Sequence, residues 1–212
     1  MRKQLQVAAA IVMAFLVATP SALADKSTTG NGRDAPADEV AVFTELDDGT
    51  MLHEPSGLNC PPTIGDFTRN SVQVLDPEGR GRDISCDYEA RFDGRLGKLT
   101  LFVTDWGADY PEAEIMQGTV AAILQRYPDA KPYDGISVTL TEESLGFDPV
   151  RATFLVDIDG VSHVSGAWIQ NRKGWSLKLR LTVPEGPWQT QMFIANASMM
   201  LVFGTITKEA RP

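Results

Sequence analysis

His53 and His163 are the two histidines of this 212-residue chain, and their number limits the acid–base and metal chemistry open to it. A histidine-rich metal site is nearly excluded on that count. His163 lies in Val161-Ser162-His163-Val164-Ser165, where Ser162 or Ser165 would be the nucleophile of a serine hydrolase. No Gly-x-Ser-x-Gly elbow accompanies it, and two residues on one flat strand supply no oxyanion hole. The favoured reading of His163 is a hydrogen-bonded core histidine. His53 stands near Glu54 and Ser56 in a predicted loop, better placed for chemistry but with no motif around it. Asp105, Asp109, Glu112 and Glu114 cluster where a helix should begin. Their spacing matches no EF-hand loop, and helix capping and dipole complementarity account for them without calcium. No residue is assigned a catalytic, cofactor-binding or metal-ligating role.

Cys60 and Cys86 complete the inventory of reactive side chains. They are not in a Cys-x-x-Cys arrangement and no nearby histidine completes a metal set, so a structural disulfide is expected if the protein is exported. Closing a loop of that length stabilises a fold by roughly 3–4 kcal/mol in the chain-entropy description.

Export is what the first residues predict. Arg2 and Lys3, an apolar run from Val7 to Val17, and Ala22-Leu23-Ala24 have the layout of a cleavable signal peptide over 1–24. The run is short for a membrane span, no second one follows, and no cysteine marks a lipidation site, so a soluble periplasmic or secreted protein without a transmembrane anchor is expected. Residues 25–39 are polar, with Gly and Pro, and read as a flexible leader to one domain over 40–212. Cleavage takes Arg2 and Lys3 from the 19 basic residues and leaves 17 against 28 acids, a formal charge of about −11. That sign opposes general binding to nucleic acid or anionic membranes, which draws on Lys and Arg.

The elements that must position these side chains are mostly hairpins. Ile84, Cys86, Tyr88, Ala90 and Phe92 alternate with polar residues up to Asp93-Gly94, a two-residue turn signal. The register that follows sets Phe92 opposite Arg95, Tyr88 opposite Leu99, Cys86 opposite Leu101 and Ile84 opposite Val103, which turns Cys86 inward. A strand over Thr68–Leu75 precedes it, joined by a turn in which Arg80-Gly81-Arg82 reads as a solvated tip. Asp109-Tyr110-Pro111 should open a helix with a buried stripe of Met116, Val120, Ile123, Leu124 and Tyr127, stopped at Pro128. Strands are predicted again at Ile136–Leu140, Ala152–Ile158, Val161–Ile169 and Trp175–Val183, and a final helix from Pro187 to Gly204. The fold class expected is α+β, an antiparallel sheet built from hairpins and covered by two main helices.

Two of these hairpins generate a candidate binding patch. An Asp159-Gly160 turn sets Arg151 opposite Trp168 and Val156 opposite His163; a three-residue Arg172-Lys173-Gly174 turn sets Trp168 opposite Lys178, Gly166 opposite Arg180 and Val183 opposite His163. Arg151, Trp168, Lys178 and Arg180 would then surround a bare backbone patch, suited to a small anionic or aromatic ligand. The alternative is a sheet face decorated by cation–π pairs or packed under the first helix.

The order of elements, with the layout around Asn59-Cys60-Pro61-Pro62, Phe67-Thr68-Arg69 and Cys86-Asp87-Tyr88, resembles the PsbP/Mog1-like α/β sandwich, including envelope proteins of the DcrB type, over about residues 60–205. The resemblance implies an accessory or interaction protein instead of an enzyme. The function expected is a non-enzymatic binding or accessory domain of the bacterial envelope, with an envelope protein or small ligand as partner. The alternatives are a secreted hydrolase using His53 or His163 and a structural assembly component.

Overall fold

The computed structural model describes residues 42–133, 150–186, 205–208 and 210. All of them belong to one compact unit, Glu39–Pro212. Two antiparallel sheets account for most of it. The smaller is made of β1 (Phe43–Glu45), β2 (Met51–His53) and β3 (Leu58–Cys60). The larger has eight strands: β4 (Thr63–Ile64), β5 (Phe67–Val74), β6 (Asp83–Phe92), β7 (Arg95–Thr104), β8 (Lys131–Pro132), β9 (Val150–Ile158), β10 (Val161–Arg172) and β11 (Trp175–Pro184). Their order across the sheet is β4-β5-β6-β7-β11-β10-β9-β8. The helix α1 (Glu112–Arg126) packs on β9 and β10.

The chain is therefore mainly β, which corrects the expected α+β fold with two main helices: the described residues hold one helix and two antiparallel sheets. The segment before Pro62 builds a sheet of its own. The predicted strand Ile136–Leu140 and the predicted helix Pro187–Gly204 lie outside the described residues.

Three hairpins share one turn chemistry. Asp93-Gly94, Asp159-Gly160 and Lys173-Gly174 all have positive φ at both positions, from 50° to 79°. That is the two-residue type whose twist suits flanking strands, and glycine at the second position accepts it without strain. The β6–β7 register is as the alternation predicts: Tyr88 opposite Leu99, Cys86 opposite Leu101 and Ile84 opposite Val103.

The β10–β11 register departs by one residue from expectation. Arg172 pairs with Trp175, so Lys173-Gly174 alone forms the turn, and Trp168 opposes Leu179, Ala167 opposes Arg180 and Ile169 opposes Lys178. Because side chains alternate, a one-residue difference exchanges the two faces of β11. Hydrophobic pattern could not choose between registers here, because every residue of β10 from His163 to Ile169 is buried. One face of β10 carries Val164 and Trp168 into the main core with Leu179 and Leu181. The other carries Ala167 and Ile169 under Met116 of α1, while Ile123 of α1 covers Phe154 and Val156 of β9. The helix also buries Thr119 and leaves Leu124 exposed, a rotation from the predicted stripe.

Candidate functional site

His53 closes β2 and is fully buried, not in a loop. Its Nε2 is 2.9 Å from the Gly81 carbonyl and its Nδ1 is 2.7 Å from Ser56 Oγ. A carbonyl only accepts, so Nε2 carries the proton and donates it, and the Ser56 hydroxyl donates to Nδ1. The ring sits 5.4 Å from Phe43 and 5.7 Å from Trp175. Ser56 also accepts the Leu58 amide and is itself completely buried. Burial drives the His53 pKa down to about 4, helped by the Lys208 charge and opposed by the Gly81 bond. The geometry resembles half of a serine–histidine couple, but no substrate reaches the hydroxyl.

Gly81 is correspondingly not a solvated tip. It is buried, with φ 73°, and a β-carbon there would stand 2.6 Å from Val42 and 2.9 Å from His53 Nε2. Residues 205–208 close the same corner from the other side. The Thr207 and Lys208 amides donate to the Ser56 carbonyl, Trp175 Nε1 donates to the Lys208 carbonyl, and Lys208 Nζ pairs with Glu54 at 3.1 Å.

His163 is buried, and its Nδ1 donates to the Val161 carbonyl at 2.8 Å. Its flanking residues are Val156 and Pro184; the expected Val183 belongs to the other face. Ser165 Oγ lies 3.2 Å from Thr182 Oγ1 and is fully buried. Cys60 and Cys86 are joined in a disulfide, both without solvent exposure, which ties β3 to β6. The acids at the head of α1 are used locally: Asp105 pairs with Arg82 at 3.1 Å, and Glu112 accepts the Asn171 amide.

The four-residue patch does not assemble. Arg151 and Trp168 face the core side of the sheet, whereas Lys178 and Arg180 face the side that carries α1. Trp168 is 4% exposed, and its indole lies back over Gly166, where a β-carbon would come within 2.5 Å of it. The expected bare backbone is covered by the very side chain meant to stand beside it.

Lys178 and Arg180 nevertheless form a coherent strip on β11 beside the helix. Lys178 Nζ rests 4.3 Å above the Phe102 ring. Arg180 opposes Thr100 of β7 on one side and Ala167 of β10 on the other, and its buried Nε has no hydrogen-bond partner. Burial lowers the pKa of both cations; Arg180 lowers Lys178 further and Asp83 opposes this, while Tyr127 opposes the lowering of Arg180 and Arg126 adds to it. Two strands away, Asp87 receives Ser71, Gln73, Ser85 and Thr100 at 2.8–3.2 Å, which fills its acceptor sites. The ion pairs among the described residues, Arg82–Asp105, Lys98–Glu89 and Lys208–Glu54, leave Lys178 and Arg180 out.

No protein-family model and no curated protein matches the chain. Among solved structures it is similar to DynU16, a protein in the dynemicin biosynthetic locus, with 13% identity, 71% of this chain and 86% of that chain covered, and a TM-score of 0.17. Among the described residues, no helix is long and apolar enough to cross a membrane.

Proposed function

We propose that the chain is an exported, disulfide-stapled accessory domain of the bacterial envelope that works by binding and not by catalysis. The observation that carries this reading is the sealing of its reactive groups: His53, Ser56 and Ser165 are completely buried and His163 is 8% exposed. Each of them is engaged in an internal hydrogen bond. A nucleophile and base must reach a bound substrate within hydrogen-bond distance, and these do not. The N-terminal segment supports export through its signal-like pattern, and the buried disulfide suits an oxidising compartment.

Incubating the full chain with a panel of chromogenic esters, alongside crosslinking capture in intact envelopes, separates the classes. The expected result is no turnover above buffer and a saturable crosslinked partner or ligand. Turnover abolished by Ser56→Ala would replace the binding reading with a hydrolase.

A further inference from the structure

We propose that Lys178 and Arg180 form a binding site for a small oxyanion, a carboxylate or phosphate group, on the α1 side of the sheet. The inference rests on the binding reading above and gives its ligand a chemical class.

A cation inside a protein normally keeps a carboxylate or carbonyl partner, because removing it from water costs several kcal/mol in order of magnitude. Arg180 departs from that rule: its Nε is closed to solvent and unpartnered. Two of its neighbours, Lys178 on the same strand and Arg126 at the end of α1, are positive, and Tyr127 offsets them only in part. The nearest carboxylate along the same row, Asp87, is withheld, because Thr100 stands between them and donates to it at 2.8 Å. Lys178 rests on an aromatic face, with the Asp83 charge near enough to favour its ammonium form but in no ion pair with it among the described residues.

Two neighbouring cations that take part in none of the ion pairs among the described residues are a local exception in a chain of net charge −9. An anion placed there gains charge-assisted hydrogen bonds from the guanidinium and the ammonium together. The carboxylates of β6, namely Asp83, Asp87 and Glu89, bound the strip on its far side. They disfavour an extended polyanion and favour a compact group of low charge. Phe102 beneath Lys178 supplies an apolar floor for the body that carries the anion.

The test is a titration of the full oxidised chain, followed by amide NMR shifts, with sodium phosphate and separately with sodium benzoate at fixed ionic strength. At least one probe should shift the Lys178 and Arg180 amides saturably, and benzoate against phosphate identifies the source of the oxyanion. Arg180→Gln should weaken that binding about tenfold or more, the loss expected for a charged hydrogen bond, and Lys178→Gln should weaken it severalfold. Arg95→Gln at the distant β6–β7 tip should leave it unchanged. The absence of any saturable shift with both probes, or unaltered affinity in a folded Arg180→Gln chain, overturns the site. If Arg180→Gln does not fold, the same titration of Lys178→Gln decides. A crosslinked partner retained by the wild type without an oxyanion response removes this site alone, whereas ester turnover lost in Ser56→Ala removes the binding reading as well.

Discussion

Asp87 and Arg180 flank Thr100 from opposite sides, on β6 and β11, and the threonine hydroxyl commits itself to the carboxylate. The acid draws four donors while the buried Nε of Arg180 has no hydrogen-bond partner. Stability and binding are thus set against each other at Arg180. Replacing it with Met removes a half-buried cation with an unpartnered Nε and keeps the packing of its stem, so unfolding free energy in urea should rise, by up to about 1 kcal/mol. A loss of stability would mean that the guanidinium has a structural partner after all.

Trp168→Ala should destabilise the chain by about 3–5 kcal/mol, because the indole is in the main core and leaves a large cavity. Trp106, at 50% exposure, is the matched control, and Trp106→Ala should stay within about 0.5 kcal/mol of wild type. Thermal melts of the two variants side by side decide whether the face assignment of β10 is right.

Acid should loosen the fold through His53. The unfolded chain takes up its imidazole proton near 6.5, whereas the folded chain resists until about 4. The contribution is therefore complete above pH 6.5, declines as pH falls to 4, and is lost below that, for about 3 kcal/mol in all. Urea midpoints measured between pH 7 and pH 4 should show this slope in the wild type and lose most of it in His53→Gln. An equal slope in both would assign the acid sensitivity to carboxylates.

Cys60 and Cys86 should resist alkylation and mild reductant in the native state, since neither sulfur is exposed. Intact mass after alkylation without reductant should show no adduct. The Cys60→Ala, Cys86→Ala chain should unfold with about 3–4 kcal/mol less stability, an estimate from loop closure.

What the residues disclosed depended on how many faces of each strand are buried. β6 and β7 each hide one face, so Ile84, Cys86 and Tyr88 against Val103, Leu101 and Leu99 fixed their register from alternation alone. β10 hides both, so Trp168 and Ile169 gave equal reasons for opposite orientations, and only the turn geometry at Lys173-Gly174 decides between them. The chemistry of Lys178 and Arg180 was legible as residue type, but their companions were not, because the face was assigned from the wrong register. His53 was misplaced for another reason: its corner is closed by Gly81, Trp175 and residues 205–208, all distant in sequence. No local pattern carries that information.

The closure of the small sheet by residues 205–208 joins parts of the chain that are far apart in sequence. Lys208 reaches Glu54 across 154 positions, and Thr205 reaches Asn59 across 146. Contacts of such separation raise the entropic threshold for forming them and slow folding. Without them the Ser56 carbonyl would lose both of the amides that donate to it. The barrier to that closure is entropic, and it is set by the length of chain between the two ends of each contact.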